Sequence, residues 1–450
     1  MVEYAYDIMD RVTNISWRTT GGATLGGFGY EYDAVGRIVS RSHAIGSNAF
    51  DRAYAYDDLD RLASDDGVTY TYDAAGNRTT RTENGLTTTY TLGVGDRLAT
   101  WTGGSCVYDF AGNVTRIEHD GRPTLDLTWN SQYQLVSVAT NGAFAESYEY
   151  DALGRRASTT TLEGTTRHVY DDNWQVIADI DENDNVLVSY TWGDGIDNLL
   201  AVKIGGESYY PLTDIQGTIW GYVDSQNNVV ARWQYDAWGN VVDEFVTVPV
   251  LANIRYRFQC REWSAATGLV NFRMRWYDAE TGRWLSKDPI GLEGGINIYA
   301  FCENCPLLFV DPAGLSGMDG VGPTGVGAGV RPIILNGDKV YPGHSFNYHP
   351  DPFGHGRLPN GSPKQPHVDQ LPKRGPGKIR FDLDGRPLKC EKGFIPKKDY
   401  KAYMEAVKDV LKAVGAGVSS IGTRLISVPI LLCPVPVVNP KTTKDGGLVS

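Results

Sequence analysis

Two short boxes hold the residues whose types and spacing are best suited to chemistry. DPIGL at residues 288–292 and DPAGL at residues 311–315 write one pattern, D-P-x-G-L, twice in close succession. In each box Pro presets the second place of a turn and Gly suits the fourth, so tight turns starting at Asp288 and Asp311 are expected on local grounds alone. Chemistry offers a second reading. Two carboxyls brought together in a low-dielectric site cannot both ionise and come to share one proton. The ionised member can then activate a water while the protonated member polarises a carbonyl, which is peptide hydrolysis by an aspartic mechanism. Spacing alone leaves both readings open.

The other groups with chemical potential are histidines and thiols. Four of the seven His, at His344, His349, His355 and His367, fall in one stretch crowded with Pro, Gly and basic residues. A His base beside Arg or Lys on a phosphate is the logic of metal-independent RNases, and His with Asp369 has the donor types for a metal. No H-E-x-x-H or similar spacing supports either, so a polar loop with solvated His stands beside a nucleolytic site at His349, His355, His367 and Asp369. Cys302 and Cys305 form one C-x-x-C, but a four-thiolate zinc site needs a second pair, and Cys390 and Cys433 stand alone. No cofactor and no resident metal are expected.

These groups sit at a break in composition. Residues 1–315 carry 23 Lys+Arg against 43 Asp+Glu, whereas residues 316–450 carry 19 against 11. All 11 Trp and 22 of the 26 Tyr precede residue 316. Two bodies of opposite charge therefore meet near residue 315. The N-terminus shows no basic region followed by an apolar run, and no window of about 18 uninterrupted apolar residues occurs, so neither a signal peptide nor a membrane span is supported.

What positions the boxes is a repeat. Aligned on the Asp after an aromatic, the chain reads EYAYDIMDRVT, YEYDAVGRIVS, YAYDDLDRLAS, YTYDAAGNRTT, CVYDFAGNVTR, YEYDALGRRAS and HVYDDNWQVIA, with Asp at 7, 33, 57, 73, 109, 151 and 171. Decayed units at TLGVGDRLATW and LTWNSQYQLVS fill the longer gaps, which puts the period near twenty. Each unit reads as a β-hairpin: Tyr148 and Tyr150, two apart, face one side of a strand, and Asp151 and Gly154 take the ends of the turn. Many such hairpins argue an extended antiparallel sheet whose units stack edge to edge and coil.

These units resemble Rhs or YD repeats, and RYRFQCREWSAATGLVNFRMRWYDAETGRWLSKDPIGLEGGINIYAFCENCPLLFVDPAGL, with YYPLTDIQGTIWGYVDSQNNVVARWQYDAWGN before it, resembles the Rhs-repeat-associated core. The resemblance covers about residues 1–315 and takes in bacterial Rhs polymorphic toxins, the C components of insecticidal toxin complexes, wall-associated proteins and teneurins. It implies a mainly β fold, an antiparallel YD-repeat ribbon spiralling into a hollow shell. Because residue 1 falls within a repeat, a partial shell is expected. The resemblance further implies an intramolecular aspartic protease with Asp288 and Asp311 as its dyad, Arg275 holding one carboxylate ionised, and the bond between Leu315 and Ser316 as the one cut. The family's Val and second Asn are replaced here by Cys302 and Cys305.

Residues 316–330 are a Gly-rich linker, and a small α+β domain is expected beyond it. PIILNGDKVYP and KIRFDLDGRPLK carry the Asn-Gly and Asp-Gly signals of hairpins. KDYKAYMEAVKDVLKAVGAG reads as an amphipathic helix with Tyr403, Val407, Val410, Leu411 and Val414 on one face. The apolar run after it is broken by Arg424, Pro429, Pro434 and Pro436 and reads as buried rather than membrane-inserting.

The expected organisation is a YD-repeat shell at 1–245, a self-cleaving core at 246–315, the linker, and a variable cargo at 331–450. A chain of this type would enclose its own cargo, and the resemblance implies secretion machinery and a cognate immunity protein as partners, with secretion or surface display as its fate. Nucleic acid is the partner that suits the tail's positive balance. A structural or adhesive surface protein with a non-toxic tail is the alternative.

Overall fold

The repeat unit explains its own turn. Asp33 accepts from the backbone N–H groups of Val35 (3.0 Å) and Arg37 (2.9 Å) through Oδ1, and its Oδ2 pairs with the Arg37 guanidinium. One carboxylate thus satisfies donors that a two-strand turn would leave open. Asp57 with Arg61 and Asp151 with Arg155 repeat the arrangement. Each Arg then lies over the Tyr of the next unit, Arg37 at 4.8 Å from the Tyr56 ring and Arg61 at 4.8 Å from the Tyr72 ring. Those tyrosines donate back across the ribbon, Tyr56 to the Ile38 carbonyl (2.7 Å) and Tyr72 to the Leu62 carbonyl (2.7 Å). A register shift recurs at the aromatic before each Asp, between Glu31 and Tyr32, Ala55 and Tyr56, and Glu149 and Tyr150. Such bulges bend a strand and strengthen its twist, which lets the ribbon coil.

The structure, a computed structural model, describes residues 1–315 apart from Ser47 and, beyond them, the backbone of short strands between Met318 and Cys390. From Val2–Tyr6 to Val241–Val246, twenty-four strands run as a single antiparallel meander, each paired with its neighbours in sequence. The expected antiparallel YD ribbon is therefore present. The decayed units also turn as expected: the Gly93 N–H meets the Arg97 carbonyl (2.7 Å) and the Asn130 N–H meets that of Gln134 (3.0 Å).

After the ribbon comes a segment that buries more than half of its side chains. A four-stranded antiparallel sheet of Glu262–Trp263, Val270–Phe272, Arg275–Asp278 and Arg283–Trp284 carries it. Phe258, Phe272, Tyr277, Trp284 and Phe301 share a hydrophobic cluster with the ribbon's Phe28, Trp220, Trp233 and Trp238. The rings pack face and edge, Tyr277 against Phe301 at 4.1 Å between centroids and Phe272 perpendicular to Trp284 at 5.2 Å. Arg257, Arg261, Arg275 and Arg283 are buried among these rings, each pairing with an acid, a carbonyl or an aromatic face.

Met1–Arg331 forms one compact unit and Pro332–Ser450 a second. In the second, Ile333–Leu335 pairs with Asp338–Val340, and Ile379–Phe381 with Pro387–Cys390, at the two hairpins expected from Asn-Gly and Asp-Gly. Phe346–Tyr348 also pairs with Val368–Gln370. The helix expected around Tyr403 to Val414 lies outside the described residues. No helix among the described residues is long and apolar enough to cross a membrane.

Candidate active site

Both D-P-x-G-L boxes turn where local sequence rules place turns. The Gly291 N–H donates to the Asp288 carbonyl (2.9 Å), and that of Gly314 to the Asp311 carbonyl (3.3 Å). Each Asp side chain also caps its own turn, Asp288 Oδ1 accepting from the Ile290 N–H (3.0 Å) and Asp311 Oδ1 from the Leu315 N–H (2.9 Å).

The fold then brings the two boxes to one guanidinium. Arg275, on the strand Arg275–Asp278, places Nη1 2.9 Å from Asp288 Oδ2 and Nη2 3.1 Å from Asp311 Oδ2, and its Nε donates to the Gly314 carbonyl. Its other face lies 4.1 Å from the Trp284 ring centre. Arg275 and both acids are buried. Burial pushes the Asp288 carboxyl above its usual range, with Arg275 opposing the shift and the nearby Asp311 charge adding to it. Burial likewise lowers Arg275, against the pull of both carboxylates. Asp288 is thus poised to hold a proton at higher pH than an exposed Asp.

The segment that precedes the expected cut is held atom by atom. Arg273 Nη1 donates to the Pro312 carbonyl, the Met274 N–H to that of Ala313 (3.1 Å), and Arg275 Nε to that of Gly314. Gln216 and Gln259 donate to the Phe309 carbonyl, each at 3.3 Å. A Cβ on Gly314 would stand 2.5 Å from the Phe272 carbonyl oxygen, and its φ of +70° is one that L side chains avoid, so only Gly fits. Gly294 is needed for a different reason. Its Cβ would fall 2.5 Å from Asp288 Oδ2 and 2.7 Å from the Leu315 carbonyl oxygen, so those two oxygens border the same small space.

Leu315 therefore lies beside both acids, while Ser316 lies outside the described residues. The backbone of Met318–Asp319 pairs antiparallel with Phe309–Val310, so the chain doubles back around the box. Cys302 and Cys305 are buried, and burial next to Asp311 raises the Cys302 thiol far above its usual value, which leaves it unreactive. The side chains of His349, His355, His367 and Asp369 lie outside the described residues.

The resemblance to the Rhs core named Asp288, Asp311, Arg275 and Leu315 together, which spacing alone did not, and neither reading pointed to Gly294, Gln259, Gln216 or Arg273. The Gly pair after the first box was a visible signal for Gly294. No local pattern marks the others.

A meandering ribbon of YD hairpins wrapped on an aromatic core segment defines a YD-repeat shell protein. The Teneurin YD-shell family matches residues 1–294, and the chain belongs to it. Among curated relatives, the tRNA3(Ser)-specific nuclease WapA of Bacillus spizizenii is 30% identical over 339 residues, covering 66% of this chain and 14% of the relative. Double-stranded DNA deaminase toxin A of Burkholderia cenocepacia is 28% identical over 250 residues, 48% of this chain and 17% of the relative. The crystal structure of TcdB2-TccC3 superposes with a TM-score of 0.58 at 21% identity, over 70% of this chain and 18% of that one. The chain thus spans less than a fifth of the length of each of these relatives.

Proposed function

We propose that this chain is part of an Rhs-type polymorphic toxin, in which residues 1–245 form shell, residues 246–315 a self-cleaving core, and residues 331–450 an effector freed by a cut after Leu315. The observation that carries this reading is Arg275 bridging Asp288 and Asp311 while Asp311 also holds the Leu315 N–H. The relatives' names, a nuclease and a deaminase toxin, support a cargo role for the tail.

Each residue has a defined part in the reaction. Asp311, paired with Arg275 and holding the Leu315 N–H, takes a proton from a water that attacks the Leu315 carbonyl carbon. Asp288 carries the shared proton and delivers it to the carbonyl oxygen across the space that Gly294 leaves empty. When the tetrahedral intermediate collapses, the bond from the Leu315 carbon to the Ser316 nitrogen breaks. The amine leaves with the proton that Asp311 took from the water, and Asp288 regains its own from the former carbonyl oxygen. Gln216, Gln259, Met274 and Arg275 hold the preceding carbonyls so that this bond is the one presented. The substrate is the protein's own chain, so each molecule turns over once.

The test is a denaturing gel and intact mass of the purified full chain. Two pieces are expected, residues 1–315 and 316–450, the second beginning at Ser316. Asp288→Asn and Asp311→Asn are expected to leave the chain whole, and unchanged cutting in both variants refutes the dyad.

A further inference from the structure

Arg273 stands out for its backbone. Among the described residues other than Gly, Asp and Asn, a positive φ occurs at Tyr133, Trp174, Gln259, Cys260, Arg273, Cys302 and Glu303, and all but the first two belong to the core segment around the cut. Backbone held in this region persists only when its surroundings over-determine it, and such residues gather where geometry serves a function. Arg273, at φ +65°, turns the hairpin between Val270–Phe272 and Arg275–Asp278, a place that glycine would fill without strain.

What the arginine adds is a two-ended grip. Its Nη2 and Nη1 meet Asp197 Oδ1 (2.7 Å) and Oδ2 (3.0 Å), a bidentate pair, while Nη1 also donates to the Pro312 carbonyl. Asp197 is itself at φ +57°, in the turn between the ribbon strands Val186–Trp192 and Leu199–Ile204, and Arg261 meets the same carboxylate at 2.7 Å. Arg273 and Asp197 are both largely buried, each with about a tenth of its side chain exposed. The chain of contacts runs from a ribbon turn, through one guanidinium, to the residue that follows Asp311.

We propose that Asp197 and Arg273 are positioning residues that make the cut after Leu315 conditional on the ribbon: only when the turn at residues 193–198 is seated on the core does Asp197 orient Arg273 to hold the Pro312 carbonyl and so fix the register of the cleaved bond. The inference rests on the self-cleavage reading and adds to it a check that the ribbon has formed before the tail is cut free. A bidentate carboxylate fixes a guanidinium in direction as well as place, which a single contact does not. Neither residue touches the reacting atoms.

The experiment follows cleavage in time in the full chain made by cell-free translation, for wild type, Asp197→Asn, Arg273→Gly and the double variant. Arg273→Gly relieves the left-handed backbone while deleting the grip, so it separates folding from positioning. Each single variant is expected to cut about tenfold slower or worse, since misplacing a reacting bond by about 1 Å costs on the order of a hundredfold. The double variant is expected to be no slower than Arg273→Gly, because the two side chains act as one unit. A share of product beginning at a residue other than Ser316 is expected, with an unaltered pH profile. Wild-type rates in both single variants overturn the proposal. So does slow cutting accompanied by a collapse of the thermal midpoint of the same variants in an uncleavable Asp288→Asn chain, which marks the pair as structural support only. A wild-type chain that stays whole refutes the parent reading instead.

Discussion

At the scale of single residues, the two acids are distinguished by their surroundings. Both pair with Arg275, but Asp311 holds the Leu315 N–H, whereas Asp288 borders the Leu315 carbonyl oxygen and is raised by burial. The raised value gives pH a definite sign. Because the folded-state value of Asp288 exceeds its unfolded one, its contribution to stability is fully present below the unfolded value and is lost as pH rises through the folded one. The protonated acid that the proposed cleavage requires disappears over the same window, so the rate is expected to fall about tenfold per pH unit above that value, as read from time courses in buffers of increasing pH. Gly294→Ala tests the shared space without changing any charge. Its new methyl would collide with Asp288 Oδ2 and the Leu315 oxygen. Cleavage is expected to slow by about a hundredfold, in line with displacement of a reacting group; a wild-type rate in that variant counts against the assigned geometry.

At the scale of the element, the repeat places the same Asp in two environments. Asp33 caps a turn at the surface, with about a fifth of its side chain exposed. Asp214 caps the equivalent turn in the interior, accepting from the Gln216 N–H (2.9 Å), the Thr218 N–H (2.9 Å) and Trp220 Nε1 (2.8 Å). Removing Asp214 strands two buried donors, Thr218 N–H and Trp220 Nε1, each costing about 1–3 kcal/mol, and leaves the part-buried Gln216 N–H to water. At Asp33 water can replace the lost bonds, and about 1 kcal/mol is expected. Thermal midpoints of Asp214→Ala and Asp33→Ala in the Asp288→Asn chain check this order. Equal shifts contradict the view that the inner turns carry the ribbon's stability. The decayed units belong here too: at Gly93 the backbone bond across the turn survives loss of the carboxylate, and at Asn130 the amide oxygen takes over its two caps, accepting from the Gln132 and Gln134 N–H groups.

At the scale of the molecule, the acidic, aromatic body ends where the basic tail begins. If the tail is a cargo that acts on nucleic acid, residues 316–450 expressed alone in bacteria should arrest growth with loss of intact RNA or DNA, and His367→Ala should relieve it. Normal growth with intact nucleic acid refutes the nucleic-acid reading, and normal growth in every compartment tested favours the structural alternative. The hairpin period and the turns at Asp288 and Asp311 were legible in the sequence because each depends on residues within a few places of one another. Turn chemistry, strand alternation and composition are local properties. The resemblance to the Rhs core added Arg275 and the cut after Leu315, which spacing alone left open. The structure brings Asp288 and Asp311 onto Arg275, aligns Gly294 with the Leu315 oxygen, and joins Asp197 to Arg273 across 76 residues. Those meetings were decided by how the ribbon coils and where the aromatic core seats against it. A contact between distant segments depends on the packing of everything between them, and so leaves no pattern in either segment.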